Sequence, residues 1–341
     1  MTIMTVKNFI GIVAVVLTLS ACGGSREESV KLQGAGASFP APLYLKWFKS
    51  YSGAHPNVQV DYQSVGSGSG VKSFMDRTVD FAASDAAMRP EEMAKVDGGV
   101  QLLPMTAGKI VLAHSLKEVP NLKLSREAYV GIFSGKITKW NDPAIVGANQ
   151  GVNLPANDIV VVHRSDGSGT TYIWTDYLSK VSEEWKNKVS RATSVNWPVG
   201  LGGKGNEGVT GLIKQTPNSI GYVELIYAAQ NNIPYGAVKN SAGAFIKADL
   251  ASVSAAAAGA AIPDDFRVSI TNATGKTAYP ISSFTWLLIP ARIENAGKRD
   301  AIKNFLKWMV TDGQSSAEAL SYARLPKEVV QKVEKAIANI Q

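Results

Sequence analysis

Apolar residues alternate with polar ones at Val58, Val60 and Tyr62, the period of a half-buried strand, and recur at helical spacing through Leu43, Tyr44, Trp47, Phe48 and Tyr51. The same two periods repeat along the chain. They predict strands over residues 58–63, 109–113, 159–162 and 284–289, and helices over 42–51, 71–77, 125–132, 171–178, 182–188, 302–310 and 327–340. The last helix carries Val329, Val330, Val333, Ile337 and Ile340 on one face, which marks a packing surface. The alanine-rich stretch 254–262 reads as a helix end running into a Pro263-Asp264-Asp265 turn. Strand-like and helix-like segments in alternation predict an α/β architecture with parallel sheets. A chain of 341 residues exceeds the size at which one core keeps growing, so two domains are expected.

The N-terminus departs from this pattern. Lys7 precedes an apolar stretch over 9–20 that is too short for a comfortable membrane span, so residues 1–21 read as a processed signal peptide. Leu19-Ser20-Ala21-Cys22 has the form of a bacterial lipoprotein cleavage box, with Cys22 as the lipidated first residue and 22–32 as lipidated cysteine and tether. This predicts a protein of the periplasm or cell envelope, lipid-anchored to a bacterial membrane. Cys22 is the only cysteine, so no intramolecular disulfide forms. Hydrophobic residues at 45% and charged residues at 18% describe an ordinary globular chain. The net charge of +7 favours anionic ligands, but Lys and Arg are scattered and form no run of the kind that binds nucleic acid.

Three glycine- and hydroxyl-rich segments carry the candidate chemistry. Arg164-Ser165-Asp166-Gly167-Ser168-Gly169-Thr170 places a permanent cation, hydroxyls and glycines directly before an apolar helix, whose first-turn amides face the same point. Taken alone it also reads as an Asp-Gly turn capping a surface helix. Gly34 to Pro42 leads through Ser38, a possible cap, into a second helix with prolines at its start. Gly66-Ser67-Gly68-Ser69-Gly70 joins a strand to a third. None fits a dinucleotide fingerprint or a P-loop, and Gly200 to Gly208 reads as a glycine-rich surface or interdomain loop. The loops near 38, 67 and 168 serve one ligand only if a cleft between two α/β domains gathers them. His55, His114 and His163 are isolated from one another, no His/Asp/Glu metal cluster or G-x-S-x-G elbow occurs, and no cofactor is expected.

Seven segments together resemble the periplasmic phosphate-binding proteins, the capture components of ATP-driven phosphate importers. These are GAGASFPAPLY (34–44), VGSGSGVK (65–72), VDFAASDA (79–86), GKITKWND (135–142), HRSDGSGTTY (163–172), NWPVGLGGKGNEGV (196–209) and IGYVE (220–224). The resemblance implies a type II periplasmic-binding-protein fold, with two α/β domains joined by hinge strands around a ligand cleft. Domain I would comprise 33–115 and the return segment 276–341, and domain II 116–275. It implies a monomer that binds inorganic phosphate, partners the permease and ATPase subunits of an importer, and is not an enzyme. Carried over by motif, the ligand contacts would be Ser38, the Phe39 amide, Ser67, Asp85, Arg164, Ser168, Gly169 and Thr170, with Asp166 orienting Arg164. Asp85, otherwise an N-cap within 84–88, then accepts a proton from hydrogenphosphate, which fully ionised sulfate cannot offer. Two positions depart from the family pattern: His163 stands where a second basic residue is common, and Ser69 interrupts a frequent glycine pair. The other functions compatible with these residues are a surface lipoprotein that binds phosphate for sensing or adhesion, and a phosphoester hydrolase.

Overall fold

The structure, a computed structural model, describes Met1 and residues 29–341; the signal segment, Cys22 and most of the tether lie outside the described residues. The chain runs β1 (Val30–Gly36), α1 (Ala41–Ala54), β2 (Val58–Ser64), α2 (Ser67–Met75), β3 (Phe81–Ser84), the single-turn α3 (Pro90–Met93) and β4 (Val100–His114). It continues through β5 (Lys123–Leu124), α4 (Arg126–Phe133), α5 (Pro143–Val146), β6 (Val160–Arg164), α6 (Gly169–Val181), α7 (Glu183–Lys188), β7 (Leu201–Gly203), α8 (Gly205–Gln215), β8 (Ser219–Glu224) and α9 (Leu225–Gln230). The remainder is β9 (Ala237–Lys239), β10 (Phe245–Ile246), α10 (Leu250–Ala258), β11 (Ser282–Pro290), α11 (Ala296–Val310) and α12 (Lys327–Ala338). β1 takes in Val30, Lys31 and Leu32, residues expected in the tether, because Leu32 is fully buried in the first core.

Eight strands form one sheet in the order β2-β1-β3-β11-β4-β8-β6-β7, and β10-β9-β5 form a small second sheet. The expected parallel pairing is found at both ends, β2-β1-β3 and β8-β6-β7. It fails in the middle, where β11 is antiparallel to β3 and β4, and β4 to β8. The reason is β4. Its residues Val100–Lys109 pair with β11, whereas Ile110–His114 pair with β8, so one strand leaves one half of the sheet and enters the other. Its alternation is masked by burial on both faces, which is why only 109–113 is legible as strand.

Each half has its own aromatic core. In the first, Tyr44, Phe48 and Tyr51 of α1 pack on one another and on Phe81 and Phe305. In the second, Tyr129, Phe133, Trp174, Tyr177 and Tyr222 pack together, and burying such a side chain contributes about 1.5–3 kcal/mol. α2 begins at Ser67, four residues before the predicted start at 71, because the glycine turn is itself the first helical turn. Its cap Gly66 has φ +89°, open to glycine and strained for any side chain.

His114, at the end of β4, is buried with neither ring nitrogen hydrogen-bonded, against the edge of Trp140. Burial, reinforced by the charge of Lys247, pushes it down to about 4 from its ordinary 6.5. The neutral ring is the form the fold accepts, so its stabilising contribution is complete above pH 6.5 and declines as pH falls towards 4. The decline amounts to roughly 3 kcal/mol. His114→Phe is expected to flatten this part of the acid limb: urea midpoints at pH 7 and pH 4.5 should differ less in the variant than in the parent.

Candidate functional site

The carboxyl ends of the parallel strands β1, β2, β3, β6 and β7 open into one crevice, and the loops that leave them carry the candidate residues. Ser38 and Phe39 follow β1, Ser67 follows β2, Asp85 follows β3, and Arg164 to Thr170 end β6 and begin α6. Ser38, Ser67, Asp85, Arg164, Ser168 and Thr170 are each at most 3% exposed. The Phe39 ring is also buried and packs edge-on to Tyr322, whose hydroxyl donates to the Phe39 carbonyl at 2.6 Å. Loops far apart in sequence therefore meet.

The two halves touch across this crevice. The Gly68 amide donates to the Gly167 carbonyl at 2.9 Å, and the Tyr227 hydroxyl to the Ser38 carbonyl at 2.5 Å. Glycine is required where the approach is closest. A Cβ on Gly169 would lie 2.6 Å from Asp85 Oδ2 and closer still to Ser67 Oγ.

Arg164 is aimed by Asp166. Nε and Nη2 donate to the two carboxylate oxygens at 2.8 and 2.6 Å, a bidentate pair, and leave Nη1 to reach Thr170 Oγ1 at 3.3 Å. Burial alone would raise the Asp166 carboxyl; the hydrogen bonds and charge of Arg164, with the Gly205 amide, outweigh it and hold it below its ordinary value. Ser168 caps α6 by accepting from the Thr171 amide at 3.0 Å, so the amides of Gly169 and Thr170 stay at the positive end of the helix without intrahelical partners.

Asn206, in the first turn of α8, belongs to the same cluster and was not among the candidates from sequence. Its Nδ2 donates to Ser38 Oγ at 2.9 Å and to Thr170 Oγ1 at 3.0 Å, and its backbone amide donates to Ser38 Oγ at 3.2 Å. The Glu224 amide donates to its Oδ1 at 2.9 Å, which fixes which end of the amide faces the hydroxyls. The expectation of a loop over 200–208 is thus corrected. It holds β7 and the start of α8, and Gly203 packs against the Gly208 backbone so tightly that a Cβ would sit 2.7 Å from it. A Gly-Asn pair opening a helix one residue after a short strand was the available signal. Ser38 is not the cap of α1 either; Pro40 holds that position.

These bonds give the site a polarity. A hydroxyl has two lone pairs, and those of Ser38 and of Thr170 are each occupied by two incoming donors, so both can only donate further. Asp85 is the exception. Its Oδ1 accepts from Thr285 Oγ1 at 2.7 Å and its Oδ2 from Ser67 Oγ at a long 3.5 Å, while its amide donates to Ser67 Oγ at 3.2 Å. It caps no helix. Burial pushes its carboxyl up to about 7, against the Thr285 hydrogen bond, the Arg164 charge and the Ser67 hydroxyl, which pull it down. Thr285 too was missed, lying inside the apolar strand β11. His163 stacks on Trp197 at 5.0 Å beside the crevice, and Ser69 is exposed on α2, so neither departure enters the ring of hydroxyls. Among the described residues no group of three His, Cys, Asp or Glu is placed to hold a metal, and no helix is long and apolar enough to cross a membrane.

Residues 23–313 match the model of the PBP superfamily domain. The phosphate-binding protein PstS of Xylella fastidiosa (strain Temecula1) is 44% identical over 311 residues, covering 90% of this chain and 85% of the relative. That of Pasteurella multocida (strain Pm70) is 45% identical over 313 residues, covering 90% of each. A crystal structure of a phosphate-binding protein from Stenotrophomonas maltophilia superposes with a TM-score of 0.70 at 21% identity, covering 90% of this chain and 94% of the other. A high-affinity periplasmic phosphate-binding protein solved with phosphate gives 0.74 at 20%, covering 90% and 93%. The chain belongs to the phosphate-binding protein PstS family of the PBP superfamily, and its fold is that of a type II periplasmic binding protein.

Asn206→Ala removes three side-chain hydrogen bonds and leaves the buried Glu224 amide without an acceptor. Urea unfolding at pH 7 is expected to show a loss of about 2–3 kcal/mol. A loss within about 0.5 kcal/mol, the range of surface substitutions, would show that Asn206 organises nothing.

Proposed function

We propose that this protein captures hydrogenphosphate in the crevice between its two halves and delivers it to the permease and ATPase subunits of an ATP-driven importer, held at the membrane surface through a lipidated Cys22. The observation that carries the reading is the polarity of the crevice: Arg164 and the Ser38 and Thr170 hydroxyls, confined to donating, stand around one carboxyl group, Asp85. The guanidinium of Arg164, the hydroxyls of Ser38, Ser67, Ser168 and Thr170, and the amides of Phe39, Gly169 and Thr170 meet the oxyanion. Asp85 takes the hydrogen that the oxyanion retains. Membership of the PstS family supports the same ligand and the same transport role.

The chemistry separates two ions of nearly equal shape. Hydrogenphosphate, keeping its proton, donates a hydrogen bond through it to Asp85 and turns a repulsion into a charge-assisted bond. Sulfate brings only acceptors to a buried carboxylate, where like charges at contact repel by several kcal/mol. Sites built around a hydrogen bond of this kind discriminate against a ligand that lacks the partner, here for as long as Asp85 stays ionised. Contacts from both halves favour the shut arrangement over an open one, with the first half drawn from 33–115 and 276–341, the second from 116–275, and β4 and the segment into β11 as hinges.

The ionisation of Asp85 near pH 7 sets the range over which the selection works. Above pH 7 the carboxylate is an acceptor. Below it Asp85 carries a proton of its own and can donate to sulfate. Between pH 8 and pH 5 the apparent affinity for sulfate is expected to rise roughly tenfold, following the protonated fraction of Asp85. Asp85→Asn should bind sulfate with little dependence on pH and with reduced preference for phosphate. Calorimetric titration of both proteins with both anions reads this out; a selective Asp85→Asn protein would remove the proton-acceptor role.

A further inference from the structure

We propose that Thr285 is a specificity-determining residue of the site: it holds Asp85 in the carboxylate form and turns Oδ2 towards the guest, although it lies on a different strand and contacts no ligand. The inference rests on the phosphate reading above and concerns how that site keeps its acceptor an acceptor.

Three features of β11 place the hydroxyl. Its antiparallel register on β3 sets Trp286 opposite Ser84, which brings Thr285 alongside Asp85, the residue after the strand. The pairing of β11 with β4 shifts register between Thr285 and Trp286, an irregularity that re-aims the Thr285 side chain next to a functional group. Thr285 is also fully buried, so no water competes for its hydrogen. The resulting bond to Asp85 Oδ1, at 2.7 Å, is the short one; the Ser67 contact to Oδ2 is 3.5 Å, and Ser67 is itself occupied in accepting from the Asp85 amide.

The direction of the Thr285 bond carries the consequence. A hydroxyl donating to Oδ1 stabilises a carboxylate. Were Asp85 protonated on Oδ1, Thr285 would have to accept instead and send its own hydrogen elsewhere. The groups that face Asp85 are Arg164 from β6, Tyr44 from α1, Tyr62 from β2, Ser67 from α2, and Tyr322. Arg164 is a donor only. Tyr44 stands next to Thr285 with its hydroxyl buried and outside hydrogen-bond geometry, so it is the nearby group that would have to turn to take that hydrogen. Removing the Thr285 hydroxyl therefore leaves Asp85 Oδ1 bare, and the proton that the guest should supply settles on the protein.

The test is sulfate competition against bound phosphate from pH 5 to pH 9 in the parent, Thr285→Val, Thr285→Ser, Thr285→Cys and Asp85→Asn. In the parent, sulfate begins to compete as pH falls through about 7. Thr285→Val, nearly isosteric, is expected to move that midpoint up by about one pH unit or more. Thr285→Ser keeps the parent midpoint, and Thr285→Cys, with a weakly donating thiol, lies between. A Thr285→Val midpoint equal to that of the parent, in a protein that binds phosphate, overturns the inference. Should Thr285→Val fail to fold, Thr285→Cys decides by the same criterion. The two levels separate cleanly: a parent that does not bind phosphate removes the functional reading, whereas a parent that binds it with a midpoint indifferent to residue 285 removes this inference alone.

Discussion

A carboxylate shut away from water among hydrogen-bond donors is the constraint on which the rest of the molecule depends. An isolated buried charge costs several kcal/mol, so Asp85 persists only because Thr285, Ser67 and Arg164 are arranged around it. Each stands on a different element: β11, the first turn of α2, and the end of β6. The architecture follows from that need. Parallel strands at both ends of the sheet aim helix N-termini and glycine turns into the crevice, which supplies donors. The antiparallel insertion of β11 between β3 and β4 delivers a hydroxyl to the carboxylate from the side.

What could be read in the sequence follows the same physics. Periodicity marks elements with one wet face, so α1, β2 and α12 appear close to their observed limits. Strands buried on both faces show only as apolar runs, which sufficed for β11 and part of β4 but not for β3, the four residues Phe81–Ser84, or β8, which shows no exposed residue along its length. Within the site, residues that act through charge or glycine chemistry stood out, because Arg164, Asp166 and the turns around Ser67 and Ser168 have few other reasons for their composition. Asn206 and Thr285 did not. An amide in a glycine-rich run and a threonine in an apolar strand are chemically quiet until the partners of their polar atoms are known, and those partners lie 168 and 200 residues away.

Two more buried titratable groups sit where β4 passes between the halves. Lys109 and Glu224 are both fully buried there; burial pushes the lysine down and the glutamate up to about 8, while each charge opposes the effect on the other. Glu224 also caps α9 and, through its amide, fixes the Asn206 side chain. The crossing strand, which pairs with Glu224 at Ile110, and the crevice, whose Asn206 accepts from the Glu224 amide, therefore share Glu224 as a neighbour.

That sharing bears on when the crevice acquires its polarity. Thr170 receives its two donors from its own half, but Ser38 receives both of its donors from Asn206 in the other. Apart, the halves leave the Ser38 hydroxyl able to donate or accept; together, it can only donate. On the phosphate reading, recognition and closure are then linked, because Ser38 is confined to donating only in the shut arrangement, beside the carboxylate acceptor Asp85. Asp85 stands in the same half as Ser38 and Ser67, so an anion with no hydrogen to offer meets that acceptor on docking, and closure then shuts water out of the contact. On the phosphate reading its rejection therefore grows as the halves shut, because the repulsion it meets at Asp85 is less screened in the closed crevice.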